Sequence, residues 1–398
     1  MRISTANAFD NGIDILSRRQ AEMTSLQDQL TTGKRISKAS DDPAAAARAE
    51  RARASIGRAE TSQRAVEASK VMMTQAESNL GNADTLLQRA RELLVSAGNA
   101  SYGDSERASI ANELQSLRQQ LFAVANQSDG AGTYLFGGQG ATQKPFIDTP
   151  AGVKYVAATG QTVTENGTGL SLTTDGELAW LQARTGNGVF VASAAPTVLN
   201  ATIDSGSVTN PSALTGADYT LQFTVGSVTT YAVLKNGLPT AVTAAPYVSG
   251  QAIAVDGMTV AVSGTPATGD QFQIAPSTPT LGVFGVLDQA VAALKTPGRT
   301  SAQVAQANAD GLRDVDAVLG HLQAARSATG QVLNRIDSET DRLDNQKLAS
   351  DSERSNAEDV DMVHAISDFQ NKQSGYDAAL KSYSMVQRLS LFQYVNGG

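Results

Sequence analysis

Cysteine is absent from the 398 residues. A folded extracellular protein of this size often carries disulfides and a cytosolic one usually keeps thiols, so the absence fits a chain that leaves the cell unfolded. Aromatic residues make up only 5%, too few for one large globular core. The apolar content is carried by Ala, Leu, Val and Ile instead, which suits layered, elongated architecture over a deep catalytic pocket. No basic surplus exists either. The formal charge is -8, and an acidic chain without a basic stripe is repelled by nucleic acid. No apolar run reaches the roughly 18 residues of a membrane span. The first 20 residues hold Arg2, Asp10, Asp14, Arg18 and Arg19 without an apolar core, so no cleavable signal peptide is expected.

Catalytic groupings are also scarce. The two histidines, His321 and His364, fall in different helical segments and read as solvated helix residues. Gly137-Gly138-Gln139-Gly140 with Lys144 lacks the Gly-Lys-Ser/Thr ending of a phosphate loop, and no G-x-S-x-G elbow is present. The pairs Asp314/Asp316 and Asp359/Asp361 fall on expected helices, where residues two apart point away from each other. Trp180, the one tryptophan, is expected in the core of the insert. We therefore expect no enzyme, and no catalytic, cofactor-binding or metal-binding residues.

What is present is patterned. Of the 11 prolines, only Pro43 precedes Pro145 and only Pro297 follows Pro279. Proline breaks helix interiors, so the flanks can be long helices and the middle cannot. Asp41-Asp42-Pro43-Ala44 is a helix start, and the helix should run toward Ala97 with a break at Gly81. A turn at 98–103 and a second helix from Asp104 to Ser128 follow. Thr300 with Gln303 resembles a capping box opening a helix toward Leu348, and a last helix is expected over 357–395. Between them, Tyr219–Val225 and Met258–Val262 alternate as strands, with Asp256-Gly257 as a tight turn. The expected fold is multidomain α plus β: a helical bundle or coiled coil formed by both termini, with an inserted antiparallel β-rich domain. Its parts are 1–42 (N-terminal core helix and connector), 43–144 and 281–355 (helical shaft), 145–280 (β insert, one or two subdomains) and 356–398 (C-terminal core helix).

Both ends carry seven-residue apolar repeats. Phe9, Leu16, Met23 and Leu30 form one, with Ile13 interleaved. Met362, Phe369, Tyr376 and Tyr383 form the other, with Ile366 and Leu380 interleaved. Such a seam asks for a partner helix. Gln20, Gln27, Gln373 and Gln387 are assigned to the interleaved class, where polar residues help fix register. Leu389, Leu391, Phe392 and Tyr394 extend the C-terminal stripe. Periodicity leaves open whether the ends pair with each other or also with neighbouring subunits.

Leu30-Thr-Thr-Gly33-Lys-Arg35-Ile36 followed by Ala39-Ser40-Asp41-Asp42-Pro43-Ala44 closely resembles the N-terminal signature of the flagellin family. Within it, Met1–Thr5, Tyr134-Leu135-Phe136-Gly137-Gly138 with Pro145-Phe146, and Leu389–Tyr394 resemble the branch at the hook–filament junction. Gly250–Ile274 looks like a β module of hook-associated proteins. The resemblance implies a helical core from both termini, an outward β insert, and export through the flagellar secretion channel. The partners it implies are other copies in a ring, the first hook-associated protein, flagellin and a cytoplasmic export chaperone. A flagellin-type filament subunit shares nearly every feature. An intracellular coiled-coil scaffold is the alternative of another class, which predicts heptads through the central helices and gives no reason for a β insert.

Overall fold

The computed structural model describes residues 2–164 and 169–395, with side chains described between residues 10 and 385. The elements in chain order are α1 (Arg2–Thr32), α2 (Pro43–Ala97), α3 (Asp104–Ala125), the hairpin β1 (Phe146–Thr149) and β2 (Gly152–Tyr155), and α4 (Gly176–Leu181). Then come β3 (Phe190–Ala194), β4 (Ala201–Ile203), β5 (Ser207–Val208), β6 (Tyr219–Val225), β7 (Thr229–Lys235), β8 (Leu238–Pro239), β9 (Ala245–Pro246), β10 (Ala252–Val255), β11 (Met258–Gly264) and β12 (Gln271–Pro276). Three helices close the chain: α5 (Val283–Lys295), α6 (Ser301–Glu358) and α7 (Met362–Val395). Among the described residues, no helix is long and apolar enough to cross a membrane.

The helix starts follow from local chemistry. Asp42 Oδ1 accepts the Ala45 amide at 3.0 Å, and Pro43 supplies the preset φ of a first helical residue. At α6, Thr300 Oγ1 accepts the Gln303 amide at 3.2 Å while Gln303 Oε1 accepts that of Thr300 at 3.2 Å. That is a reciprocal box, and the helix it opens continues past Leu348 to Glu358. The break expected at Gly81 does not occur. Glycine disfavours a helix interior by about 1 kcal/mol relative to alanine, but fully buried Leu80 and Ala83 flank it. The Arg326 guanidinium also packs over Gly81 while pairing with Glu77.

The chain divides into two compact units, residues 1–64 with 340–398 and residues 65–339. In both, α2 and α6 run antiparallel. The first unit joins them through Gln63–Asp344 at 2.6 Å and Lys347–Glu60 at 3.0 Å, the second through Lys70–Asp337 at 2.9 Å and Arg91–Asp316 at 2.6 Å. The buried positions of α2 step by three and four: Ala76, Leu80, Ala83, Leu87, Ala90, Leu94 and Ala97. On α6 the series Val315, Val318, Leu322, Thr329, Ile336, Leu343, Ser350 and Ala357 is buried at spacings of three, four and seven. Heptads therefore do run through the central helices. They were hard to see because small residues occupy many of the seam positions, so this feature does not separate a scaffold from a flagellar subunit.

Residues 65–339 hold two cores. One lies between α2, α3, α5 and α6 and takes in Leu135, Phe136, Phe146 and Trp180. Trp180, expected inside the insert, instead stacks on Phe284 of α5, with ring centres 5.8 Å apart and planes 5° apart, and meets Phe136 edge-on at 5.4 Å. The β1–β2 hairpin belongs to this core as well. Arg118, with only 9% of its side chain exposed, binds Asp148 of β1 and Asp288 of α5 and lies over the rings of Phe122 and Phe284. The guanidinium holds the Asp148 carboxyl below its ordinary value.

The second core belongs to β3–β12 alone and is built on Phe190, Tyr219, Leu221, Phe223, Val260, Phe272 and Ile274. Its sheets are antiparallel, with strand orders β10-β11-β4 and β3-β12-β6-β7-β8. β5 is added on β11 and β9 on β7. Asp256 and Gly257 adopt φ of 37° and 81° and join β10 to β11 as the expected two-residue turn. The β core is tied to α6 through Gln306 Oε1, which accepts the Ile203 amide at 2.7 Å, and Arg313 Nη1, which donates to the Ala192 carbonyl at 3.2 Å.

Separate cores make a separable prediction. Phe272→Ala should destabilise the β core by about 3–5 kcal/mol and lower its melting midpoint by circular dichroism. The emission of Trp180, buried in the helical core, should keep its own transition. A shift of both signals together would show the two cores melting as one.

Candidate assembly site at the paired termini

The first turn of the site ends α1. Gly33 has φ +70°, the left-handed conformation that favours glycine after a helix, and its amide reaches Gln29 O at 2.9 Å. The chain then meets the junction between α6 and α7. Arg35 N donates to Glu358 O at 2.7 Å, and Val360 N donates to Gly33 O at 3.0 Å. Lys34 and Asp359 form the bridge between the two segments, so Asp359 sits in the bend rather than on a helix as expected. Arg35 Nη2 also donates to Ala357 O at 2.9 Å.

Glu358 anchors this clasp. Its side chain is 5% exposed, paired with Arg53 and lying 3.4 Å from Lys34 and 3.9 Å from Arg354. Removing one partner of a buried ion pair is strongly destabilising, so these contacts matter at such depth. Beside it Ile36 is buried. Asp41 Oδ2 accepts the Ser37 and Lys38 amides at 3.1 and 2.8 Å, and Asp42 caps α2. Hydrogen bonds from the Lys38 and Ala45 amides hold these two carboxyls below their ordinary values.

From the clasp, α1 and α7 run antiparallel. Lys372 Nζ lies 2.9 Å from Glu22. Gly12 lies under the Tyr383 ring, where a Cβ would come within 3.3 Å, and a Cβ on Gly375 would come within 2.6 Å of the Arg19 guanidinium. Among the described side chains, the covered positions of α1 are Gly12, Leu16, Met23, Leu26, Gln29 and Leu30; those of α7 are Ala365, Phe369, Gly375, Tyr376, Ala379 and Tyr383.

The seven-spaced residues Leu16, Met23, Leu30, Phe369, Tyr376 and Tyr383 thus face the partner helix. The interleaved set is shifted by one from the sequence reading. Gly12, Arg19 and Leu26 take the places assigned to Ile13, Gln20 and Gln27, and Ala365, Lys372 and Ala379 those assigned to Ile366, Gln373 and Leu380. A seven-residue series alone allows a step of three or of four, and the apolar side chains at 13, 366 and 380 pointed to the wrong one. Small residues at 12, 365 and 379 let the two backbones approach instead. Gln20, Gln27 and Gln373 are exposed and fix no register within this pair. Ile13, Met362, Ile366 and Leu380 also lie outside the contact and are exposed. Gln387 and the site residues Phe9, Leu389, Leu391, Phe392 and Tyr394 have side chains outside the described residues.

The remaining signature residues lie in the second unit. Leu135 and Phe136 are buried in its helical core, and Gly137 N closes a turn on Tyr134 O at 3.0 Å. Of the two histidines, His364 is exposed at the start of α7, whereas His321 Nε2 is 2.6 Å from the Leu178 carbonyl.

Long helices from both ends of the chain, with a β domain inserted between them in sequence, are the architecture of a flagellin-type structural subunit. The comparisons agree. The bacterial flagellin N-terminal helical region matches residues 3–141 and the C-terminal helical region residues 312–395. The D2-like domain of flagellar hook-associated protein 1 matches 193–276, the β core. Flagellar hook-associated protein 3 of Salmonella typhimurium is 38% identical over 156 residues, covering 38% of this chain and 48% of that protein. Its Escherichia coli counterpart is 26% identical over 99% of both chains. The crystal structure of Xanthomonas campestris FlgL superposes with a TM-score of 0.69 at 30% identity, covering 77% of this chain and 99% of that one. The chain belongs to the flagellin family of structural flagellar proteins, in the branch of flagellar hook-associated protein 3.

The clasp gives a direct test. Glu358→Gln should cost about 1–3 kcal/mol and speed hydrogen exchange at the Arg35 and Val360 amides ahead of those in mid-α2. Acid should act in the same direction. Asp41 and Asp42 have depressed folded values, so their contribution is complete above the ordinary carboxylate range and is lost as pH falls through those values. Unchanged protection at Arg35 and Val360 in both cases would remove the clasp as a stabilising device.

Proposed function

We propose that the chain is the adaptor subunit of the flagellar hook–filament junction. Copies form a ring, with the first hook-associated protein on the hook side and flagellin on the filament side. The observation that carries this reading is the apolar surface that the α1–α7 pair leaves uncovered. Ile13 and Ile15 on α1, and Met362, Val363 (79% exposed), Ile366, Leu380 and Met385 (64%) on α7, lie outside their mutual contact. Exposed apolar side chains repeated along two helices mark a surface made for further helices. In a ring, those are the terminal helices of neighbouring copies. The β domain then faces outward, and a cytoplasmic export chaperone covers the α7 stripe before the subunit leaves the cell for the flagellum.

The seam and the flank separate by mutation. Ile366→Ala with Leu380→Ala should leave the lone chain's helicity unchanged and weaken co-assembly with flagellin and the hook-side partner in sedimentation. Phe369→Ala should open the α1–α7 pair itself, at about 3–5 kcal/mol for a well-buried ring and less for this half-buried one. Loss of helicity in the double variant would place Ile366 and Leu380 in an ordinary monomeric core.

Deletion of the gene tests the role in the cell. Electron microscopy should show hooks without filaments, and flagellin should be shed into the medium. Hooks without filaments and no flagellin anywhere would identify the chain as the filament subunit. Normal filaments would overturn the proposal.

A further inference from the structure

Within residues 65–339, three buried polar atoms have no hydrogen-bond partner among the described residues and belong to side chains lining one cavity. They are Arg107 Nε of α3, Arg299 Nη1 of the turn before α6, and Asn308 Oδ1 of α6. The cavity measures about 20 Å³ and is otherwise walled mainly by apolar residues of α2, α5 and α6, with Asp104 also in its lining. Buried donors and acceptors are almost always paired, so three orphans on one cavity call for a common partner.

The volume and the donor set select that partner. A cavity needs about 10–15 Å³ of probe space to hold one water, which typically makes about three hydrogen bonds there. The wall offers two N–H donors and one carbonyl oxygen. A cation is repelled by two guanidinium groups. An anion accepts from both arginines but meets Asn308 Oδ1 and the Asp104 carboxylate with its own negative charge. Water alone among small ions and solvent accepts twice and donates as well.

We propose that this cavity is a built site for one water molecule. Its oxygen accepts from Arg107 Nε–H and Arg299 Nη1–H, and one O–H donates to Asn308 Oδ1. Asp104 is the acceptor on hand for the second hydrogen. The water joins the start of α3, the 296–300 turn and the first turns of α6. The neighbouring Thr300 and Gln306 of that stretch hold the β core through Leu199 O and the Ile203 amide. It therefore braces the helical arm where the β domain is attached.

The test is a crystal structure of the full chain at about 1.8 Å or better, from crystals soaked in sodium bromide, with melting curves of two variants. One solvent peak bonded to Arg107, Arg299 and Asn308, without anomalous bromine signal, is the expected result. A bromine peak at the site would overturn the proposal in favour of an anion site, and no peak, or guanidinium groups turned away, would overturn it outright. Asn308→Leu fills the site and leaves two donors unpaired, so its midpoint should fall by about 2–4 °C. Asn308→Asp supplies an acceptor directly and should restore it. Neither midpoint should change when chloride replaces gluconate, and chloride-dependent stabilisation would again indicate an anion.

Discussion

One carboxylate decides how the terminal unit is organised. Glu358 closes α6, and its burial is tolerable only because Lys34, Arg53 and Arg354 surround it. Those cations come from the connector after α1, from about three turns into α2, and from α6 itself. The carboxylate therefore ties together every segment that must turn within residues 1–64 and 340–398. The backbone bonds of Arg35 and Val360 to Glu358 and Gly33 then fix the direction in which α1 and α7 depart. With that direction set, the pairing of Gly12 with Tyr383 and of Glu22 with Lys372 follows as a matter of register.

This gives the family signature a physical meaning residue by residue. Leu30 covers the last turn of α1, Gly33 ends it in a left-handed conformation, and Arg35 crosses to the far strand of the clasp. Ile36 is buried beneath, Asp41 closes the connector on its own amides, and Asp42 with Pro43 starts α2. The string acts here as a joint. Its chemistry is hydrogen bonding and charge pairing, and no substrate enters into it.

Much of the architecture was legible because its signals are local. Proline distribution separated helical arms from the β region, Asp42-Pro43 and Thr300–Gln303 marked helix starts, and Asp256-Gly257 marked a hairpin. The seven-spaced residues of α1 and α7 were also legible. What failed were inferences needing the partner's shape. Choosing Ile13, Ile366 and Leu380 over Gly12, Ala365 and Ala379 followed hydrophobicity, whereas the helices followed close approach. Alanine-rich seams hid the heptads of α2 and α6 for the same reason. Trp180 and the β1–β2 hairpin lie beyond the first insert prolines yet pack into the helical core, a contact between distant segments that composition does not encode. Glu358 carries no motif of its own, and only its depth identifies it.

The α1–α7 pair joins residues from opposite ends of the chain, and this has a kinetic side. Closing a loop grows costlier with its length, though slowly, and contacts of such long separation form after local ones. The α2–α6 pairing and both cores of the second unit bring their parts together at shorter range. The terminal pair is therefore the last to close when the chain folds from an extended state. Under the export proposed above, a chain threaded through a narrow conduit emerges with one end missing, so the pair cannot close during transit. Its closure marks arrival, and until then the two halves of the seam remain open to whichever helices are nearest.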